Sequence, residues 1–413
     1  MSELLKKYEN VTNSNIIDQL VNLAKPLKGA KVIHINSTKE GGGVAEILHK
    51  LIPLKRDLGI DAEWHVITGE DDFYHCTKTF HNALQGLSDP PEQRLLDVYE
   101  RTNKEAAEKF RSILKDADFV FIHDPQPAPL LKMIPQRKGK WIWRCHIDIS
   151  RPNRSVWKYI RNWVSDYDGS IFSLPDFALP LPNRQYIIPP SIDPLSDKNR
   201  EIPSDEVKKL IDRFSLNPVL PMILQVSRFD KFKDPVGVIK AYRLASKQTP
   251  MQLILAGGGA SDDPEGAEML DLVKKEANDD PHIFILDLPP DAHILINALQ
   301  RASDIVLQKS IREGFGLTVT EAMWKRKPVI AGDAGGIRLQ VINHYTGFLV
   351  RSPEGAALRI RYLLHNRDKL LEMGSRARRL VIENFLLTRH LRDYLSLMIS
   401  IQRGEERRIE VNG

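Results

Sequence analysis

Short apolar runs alternate with amphipathic stretches along most of the chain. The apolar runs are typical of buried strands, and the stretches between them repeat hydrophobic residues at helical spacing, as in Ala45–Leu58 and Gln93–Lys115. Strands that alternate with helices predict parallel βαβ units. In the first half the predicted strands are Val32–Ile35, Glu63–Ile67, Asp118–Ile122, Trp141–Arg144, Gly169–Phe172 and Gln185–Ile188.

A cluster of prolines and turn-forming residues, Ile188-Pro189-Pro190-Ser191-Ile192-Asp193-Pro194, interrupts this alternation. Such a cluster predicts a linker between domains. A charged helical stretch, Ser204–Phe214, follows it, and the alternation then restarts. In the second half the predicted strands are Met222–Val226, Leu253–Ala256, Ile283–Leu286, Ile305–Leu307 and Pro328–Ala331.

The pattern predicts an α/β fold of two Rossmann-like domains with parallel sheets, facing each other across a cleft. The first domain spans residues 1–193 and the second spans residues 194–387. The stretch Thr388–Ile401 predicts one last amphipathic helix, and we expect residues 388–413 to pack back on the first domain. Ligand sites in such folds lie beyond the carboxyl ends of the strands.

Composition narrows the class of protein. The formal charge of +5 over 413 residues is too small to indicate nucleic-acid binding. The two cysteines, Cys76 and Cys145, have neither metal-ligand nor disulfide-framework spacing. No run of about 18 apolar residues predicts a membrane span, and the first residues lack the apolar segment of a signal peptide. We therefore expect a cytoplasmic protein without a metal centre; a homodimer is compatible with the sequence.

The most informative motif is Arg312-Glu313-Gly314-Phe315-Gly316-Leu317-Thr318-Val319-Thr320-Glu321, which follows the predicted strand Ile305–Leu307. Its glycines allow the backbone to approach a ligand, and the N–H groups at the start of the following helix attract phosphate. Glu313 can accept hydrogen bonds from sugar hydroxyls, and Glu321 from ribose hydroxyls. The alternative is that Glu313 only favours the helix dipole and Glu321 lies on a solvated helix face.

A second feature, Val226-Ser227-Arg228-Phe229-Asp230-Lys231-Phe232-Lys233-Asp234-Pro235, follows the first strand of the second domain. Arg228 and Lys233 lie at a strand end, where two cations can stabilise a leaving diphosphate. The alternative is a charged surface loop.

Together these segments resemble glycosyltransferase family 4 on the GT-B fold. The family carries a Glu-x7-Glu motif, matched by Glu313 and Glu321, and an Arg and a Lys five positions apart, matched by Arg228 and Lys233. The resemblance implies that Gly314, Phe315, Gly316 and Leu317 bind the donor and that Arg228, Lys233 and Glu313 are catalytic. The segment Gly335-Gly336-Ile337-Arg338-Leu339-Gln340 departs from the family, where many members have Pro-Glu after Gly-Gly-Ile.

In the first domain, Gly41-Gly42-Gly43 follows the predicted strand Val32–Ile35, and Gly42 and Gly43 are candidate donor-binding residues. The segment is not Gly-x-Gly-x-x-Gly, which disfavours a dinucleotide cofactor. The resemblance places His146, after another strand, against the donor sugar and makes it a fourth candidate catalytic residue. Asp148 is a candidate for binding the acceptor or orienting His146, and a buried structural histidine is the alternative for His146.

The segment Ile67–Gly86 is polar, aromatic and long for a loop. It resembles the corresponding stretch of trehalose-forming family 4 enzymes and of retaining trehalose phosphorylases. Phe73, Lys78, His81 and Asn82 are therefore candidate acceptor-binding residues, by stacking and hydrogen bonding. The alternative is a helix with a polar face. A metal site at Asp71-Asp72 is disfavoured, because the Asp-x-Asp metal motif belongs to another glycosyltransferase fold.

The resemblance implies retaining transfer of glucose from a nucleoside diphosphate glucose to free glucose, which gives α,α-trehalose. No cofactor is obligatory, and Mg²⁺ is compatible with the reaction but not required. The implied partners are small sugars and the sugar nucleotide, with neither nucleic acid nor membrane. The alternatives are a trehalose phosphorylase, a sucrose- or glycogen-type transferase of the same family, and a sugar-nucleotide sensor without turnover.

Overall fold

The computed structural model describes residues 2–12, 14–40, 43–86, 88–258 and 264–404. The chain divides into two compact units. One comprises the residues up to Pro190 together with those from Leu387 onward, and the other comprises Ser191–Leu386. Each unit contains a six-stranded sheet in its described part, and every strand pairing in both sheets is parallel. The predicted α/β class with two parallel sheets is confirmed.

The sheet of the first unit has the strand order β2-β1-β3-β4-β5-β6. Its strands are β1 (Lys31–Asn36), β2 (Asp61–Val66), β3 (Phe119–His123), β4 (Lys140–Arg144), β5 (Gly169–Phe172) and β6 (Arg184–Ile187). The helices up to β6 are α1 (Glu3–Glu9), α2 (Ser14–Ala24), α3 (Gly43–Asp57), α4 (Asp71–Leu84), α5 (Gln93–Leu114), α6 (Leu130–Met133) and α7 (Arg154–Val164). The chain leaves β1 toward β2 on one side and returns to β3 on the other. The topological switch point therefore lies between β1 and β3.

The sheet of the second unit has the strand order β12-β11-β10-β7-β8-β9. Its strands are β7 (Met222–Val226), β8 (Gln252–Gly257), β9 (Ile283–Asp287), β10 (Ile305–Gln308), β11 (Val329–Gly332) and β12 (Gly347–Val350). Its helices are α8 (Ser204–Asp212), α9 (Pro235–Ser246), α10 (Pro264–Ala277), α11 (His293–Ala302), α12 (Leu317–Trp324), α13 (Ile337–Gln340), α14 (Pro353–His365) and α15 (Arg367–Asn384). Here the switch point lies between β7 and β10.

The last helix, α16 (Leu387–Arg403), belongs to the first unit, where it packs against α2 and α3. Arg389 fastens its first turn, because its guanidinium donates to the carbonyl oxygens of Pro189 at 2.8 Å and Pro190 at 3.1 Å. Eleven residues of α16 are buried, so the helix covers an apolar face that would otherwise meet water.

The two faces of the first sheet differ in chemistry. Side chains alternate along a strand, so Ile33 and Ile35 of β1 point to the face that α4 and α5 cover, where they join the main apolar cluster. His34 points to the opposite face. There it stacks on Phe121 with ring centroids 4.7 Å apart, and it lies 6.3 Å from the ring of Tyr394 in α16.

Two elements differ from the sequence-based expectation. The segment Ile67–Gly86, expected to be a long loop, contains the helix α4. The four-residue edge strand β12 was not predicted. Gly347 is required there, since a Cβ atom would lie 2.2 Å from the carbonyl oxygen of Val329 on the neighbouring strand.

We predict that Leu395→Ala destabilises the first unit. Leu395 is fully buried on α16, and truncating a buried leucine costs about 2–5 kcal/mol, because apolar contact is lost and a cavity remains. Urea unfolding followed by circular dichroism measures the loss. The control is Leu371→Ala, since Leu371 is 55% exposed on α15 and its truncation should change stability by less than about 0.5 kcal/mol. Equal losses in the two variants would show that α16 does not stabilise the unit.

Candidate active site

Two loops of the second unit leave the sheet at its switch point. One follows β7 and the other follows β10, and these strands are parallel neighbours with Ile305 opposite Ile223. The carboxyl ends of parallel strands meet at the same edge of a sheet, so the two loops lie side by side. They carry six of the predicted residues: Arg228, Lys233, Glu313, Gly314, Phe315 and Gly316.

The loop after β7 is shaped by its own polar groups. Asp230 accepts a hydrogen bond from the backbone N–H of Phe232 at 2.7 Å, which starts a short 3-10 turn. Buried Gln225 donates to the carbonyl oxygen of Lys233 at 2.8 Å. Asp234 then adopts a left-handed conformation (φ 49°) and caps α9 by accepting from the N–H of Gly237. Lys233 is thereby held on a fixed backbone.

Lys233 and Glu313, 80 positions apart, form an ion pair. The Lys233 Nζ atom lies 2.9 Å from Oε1 and 2.8 Å from Oε2 of Glu313. Ser310 also donates to Oε2, at 3.1 Å. The side chains of Lys233 and Glu313 are only 19% and 10% exposed. The structure thus brings two of the predicted catalytic residues together, and Ser310 joins them as a residue that the sequence analysis missed.

Further contacts fasten the two loops to each other. The Lys309 amino group bonds to the Asp234 carboxylate, and the backbone N–H of Ile311 donates to the carbonyl oxygen of Phe232 at 2.8 Å. Lys309 and Ser310 come directly after β10, so their position at a strand end was the available signal for both.

The Gly314–Leu317 segment connects this loop to α12. Gly316 has φ 85°, which favours glycine, and it precedes the first turn of α12 without a side-chain cap. Glu313 therefore binds Lys233 and does not cap the helix. Gly314 is exposed, Leu317 is partly exposed, and Phe315 is buried against Phe385.

The segment that departs from the family motif packs beneath this turn. A Cβ atom on Gly335 would lie 1.7 Å from the carbonyl oxygen of Glu313, and the N–H of Gly336 donates to the carbonyl oxygen of Gly314 at 3.0 Å. Buried Gln340 donates to the carbonyl oxygen of Phe315 at 2.5 Å. Gln340 thus holds the backbone at Phe315 in this chain.

Glu321 lies on α12 and is only 4% exposed. The alternative of a solvated helix face is therefore wrong. One turn later, the Lys325 amino group donates to the backbone carbonyl of Glu321 at 3.1 Å and to the side-chain oxygen of Asn199 at 3.0 Å. Burial lowers the pKa of Lys325 to about 7, although the negative charge of Glu321 opposes this shift.

Arg228 differs from Lys233 in its surroundings. Its side chain is 63% exposed, and its guanidinium lies 3.3 Å from the Asp230 carboxylate. An exposed pair at this distance contributes little to stability. Arg228 can therefore reorient toward an anionic ligand at small cost, whereas Lys233 is already held by Glu313.

In the first unit, the predicted residue His146 follows β4 and is partly buried. Its backbone N–H donates to Asp124 Oδ1 at 2.7 Å, and its Nε2 atom lies 3.0 Å from Nδ1 of His123. Asp148 accepts from the backbone N–H of Ser150 at 2.9 Å, in a local turn. The contacts that orient His146 thus come from Asp124 and His123. Gly43 begins α3, and Gly42 lies outside the described residues.

Helix α4 carries the predicted acceptor residues on two different faces. Lys78 and His81 are exposed and Asn82 is partly exposed, at helical spacing that places them on one side. Phe73 lies on the other side: it is fully buried in the apolar cluster and packs against Tyr99. The expectation that Phe73 stacks on a sugar is therefore corrected, because its ring is a core element.

Within the part of the chain that the structure describes, no group of three or more His, Cys, Asp or Glu side chains is arranged to hold a metal ion. Among the same residues, no helix combines the length and apolar character needed to cross a membrane.

We predict that Lys233→Met destabilises the second unit by about 1–3 kcal/mol, because the largely buried Glu313 carboxylate loses its charged partner. Urea unfolding measures the change, and the double variant Lys233→Met/Glu313→Gln should recover part of it, since no unpaired charge remains. Lys240→Met, at an exposed position on α9, is the control and should have almost no effect. A loss in Lys233→Met no larger than in this control would contradict a structural role for the pair.

Comparison with known proteins agrees with this architecture. Residues 34–179 match the family described as trehalose synthase, N-terminal domain, and residues 207–380 match the family of glycosyl transferases group 1. The chain is 44% identical to a trehalose synthase of Pyrococcus horikoshii over 402 residues, which cover 96% of each chain. It is 41% identical to a trehalose synthase of Rubrobacter xylanophilus, over 96% of this chain and 97% of that protein.

Similar solved structures support the fold. A trehalose-6-phosphate synthase, OtsA, superimposes with a TM-score of 0.71 at 14% identity, over 90% of this chain and 99% of that one. A sucrose-phosphate synthase of Thermosynechococcus elongatus gives a TM-score of 0.67 at 18% identity, over 89% and 98%. These neighbours are GT-B glycosyltransferases, so the predicted GT-B fold is confirmed. With its near-complete coverage of close relatives, the chain belongs to the trehalose synthase family of group 1 glycosyltransferases.

Proposed function

We propose that this protein transfers glucose from a nucleoside diphosphate glucose to free glucose and forms α,α-trehalose with retention of configuration. In this reaction the bond between the anomeric carbon and the phosphate oxygen breaks. A new bond to the acceptor oxygen forms on the same face, and the leaving phosphate oxygen takes the acceptor's proton. The proposal requires no cofactor, and Mg²⁺ is not needed for it.

The observation that carries the proposal is the pair of fastened loops at the switch point of the second unit. They hold Lys233 against Glu313 and leave Arg228 exposed beside them. Negative charge on the diphosphate grows as the sugar bond breaks, so a cation that can turn toward it stabilises the transition state more than the bound donor. The uncapped N–H groups at the start of α12 offer the same phosphate further hydrogen bonds.

Two acidic residues are assigned to the rest of the donor. The Glu313 carboxylate, oriented by Lys233 and Ser310, suits a sugar hydroxyl, because its geometry is set before the ligand arrives. Glu321 suits the ribose hydroxyls, since a buried carboxylate makes strong charge-assisted hydrogen bonds.

The first unit supplies the groups that we assign to neutral sugars. His146 is assigned to a hydroxyl of the donor sugar. Lys78, His81 and Asn82 on α4 are assigned to the acceptor. Residues 69–86 contain one permanent cation, Lys78, beside the acids Glu70, Asp71 and Asp72, which repel a phosphate. The nearby arginines lie in exposed pairs with two of these acids: Arg94 with Asp72 at 2.5 Å and Arg101 with Glu70 at 3.8 Å. Arg144 is fully buried and donates to Ser173, so it is not exposed to an acceptor phosphate. This arrangement favours glucose over glucose 6-phosphate.

We predict that Glu321→Gln and Glu321→Ala weaken binding of the nucleoside diphosphate glucose roughly 10- to 150-fold. A hydrogen bond to a charged group contributes about 1.5–3 kcal/mol, and the alanine variant should lose more than the glutamine variant, which retains one acceptor. Titration calorimetry measures the affinity. Glu383→Ala, at an exposed position on α15, is the control. Unchanged affinity in folded Glu321 variants would remove Glu321 from the donor site.

We predict that glucose is a better acceptor than glucose 6-phosphate in kcat/KM, with release of free nucleoside diphosphate. A screen of uridine, adenosine and guanosine diphosphate glucose against both acceptors tests this directly. The anomeric configuration of the non-reducing product, read by NMR, tests retention.

Each alternative gives a different result in that screen. A clear preference for glucose 6-phosphate would contradict the proposed acceptor. Glucose transfer from trehalose to inorganic phosphate, with no use of nucleotide sugars, would identify a phosphorylase; a trehalose phosphorylase of Pleurotus pulmonarius is 29% identical over 99% of this chain and 62% of that protein. Donor binding without any release of nucleoside diphosphate would indicate a sensor.

A further inference from the structure

A row of three histidines crosses the carboxyl ends of three neighbouring strands in the first unit. The Nδ1 atom of His34 lies 3.0 Å from Nε2 of His123, and Nδ1 of His123 lies 3.0 Å from Nε2 of His146. At the far end of the row, the Lys55 amino group on α3 lies 2.7 Å from Nε2 of His34. Successive imidazole planes differ by only 26° and 17°. The four side chains thus form one continuous hydrogen-bonded row.

The row is shielded from water for most of its length. Lys55 and His34 are fully buried and His123 is 2% exposed. Burial lowers the pKa of His123 to about 3 and holds the pKa values of His34 and His146 well below the usual range. At neutral pH each ring is therefore uncharged, with one nitrogen that donates and one that accepts.

A row of neutral imidazoles has two possible directions, and the group at its end decides between them. Lys55 can donate, and its Nζ atom lies 4.8 Å from the ring centre of Phe121 and 5.1 Å from that of Tyr394, contacts that favour a cation. Below its pKa, which burial lowers to about 7, Lys55 is an ammonium group without a lone pair, so Nε2 of His34 must accept. The His34 proton is then on Nδ1, which donates to Nε2 of His123. His123 therefore holds its proton on Nδ1 and donates to Nε2 of His146.

We propose that Lys55, His34 and His123 are positioning residues that fix the proton of His146 on Nδ1, so that His146 offers an N–H donor there and not a lone pair. His146 Nε2 accepts from His123 Nδ1, and Nδ1 carries the only N–H hydrogen of the His146 ring. A sugar hydroxyl that meets Nδ1 is then bound through its oxygen. The direction of the row does not depend on any activity, whereas its effect on turnover rests on the proposed function.

Nitrogen NMR of the full-length protein labelled with ¹⁵N-histidine tests the proposal, because protonated and unprotonated ring nitrogens have distinct shifts. Single His→Gln variants assign the signals. On the acid side of the Lys55 pKa, which burial lowers to about 7, we expect Nδ1–H on all three rings. A proton on Nε2 of wild-type His146 would overturn the proposal without any variant.

Substitution of Lys55 tests its control of the row. Lys55→Met should move His146 proton density toward Nε2 and lower kcat/KM roughly tenfold, the effect of one lost hydrogen bond. Lys55→Arg keeps a donor at this position, so it should retain both the Nδ1–H tautomer of His146 and the kcat/KM of the wild-type protein. The matched control is Lys50→Met, an exposed position on the same helix.

The two readouts separate the positioning from the reaction. An unchanged His146 tautomer in folded Lys55→Met would refute the positioning role. Wild-type protein that shows Nδ1–H on His146 but transfers no sugar would refute the proposed function and leave the positioning supported.

Discussion

The parallel pairing of β7 with β10 is the constraint on which the candidate site of the second unit depends. The two strands are far apart in sequence, yet their pairing places both following loops at one edge of the sheet. Lys233 and Glu313 meet only because of this topology. The backbone bond from Ile311 to Phe232 and the contact from Lys309 to Asp234 then fix the loops to each other. An ion pair held in this way needs no ordering when a ligand arrives, which is the physical meaning of preorganisation.

Most of the fold could be predicted from hydrophobic patterning. The predicted and observed bounds are identical for the strands Gly169–Phe172 and Met222–Val226, because buried parallel strands are short continuous apolar runs. The sequence pattern also predicts helix α4, because Phe73, Cys76, Phe80 and Ala83 follow helical spacing and all are buried. The polar residues between them give the same segment the composition of a loop. The misassignment of Phe73 follows from the same error, since a residue on the apolar face of a helix cannot stack on a ligand outside.

Less of the candidate site could be predicted, because its contacts depend on which strands are neighbours. Strand ends indicated Arg228, Lys233, Glu313 and His146 one at a time. The sequence carries no signal that Lys233 bonds to Glu313, or that His34, His123 and His146 lie in one row, since both facts require the strand order. Lys55 illustrates the limit most clearly. Its helical spacing from Leu48, Leu51 and Ile52 places it on the buried face of α3, but that spacing does not show which side chain its amino group meets.

The switch points of the two units carry opposite kinds of polar chemistry. In the second unit the loops carry full charges, namely Arg228, Lys233, Lys309 and Glu313. In the first unit burial keeps the imidazoles along the strand ends neutral, and the guanidinium of Arg144 at the end of β4 is itself fully buried against Ser173. A charged diphosphate is stabilised by movable or paired ions, whereas a sugar hydroxyl is recognised by a neutral donor or acceptor of defined direction. Direction is the property that a neutral histidine lacks by itself, because either nitrogen can hold the proton. Lys55, at the end of the row that lies farthest from His146, sets the direction of these hydrogen bonds while its charge stays away from the ligand.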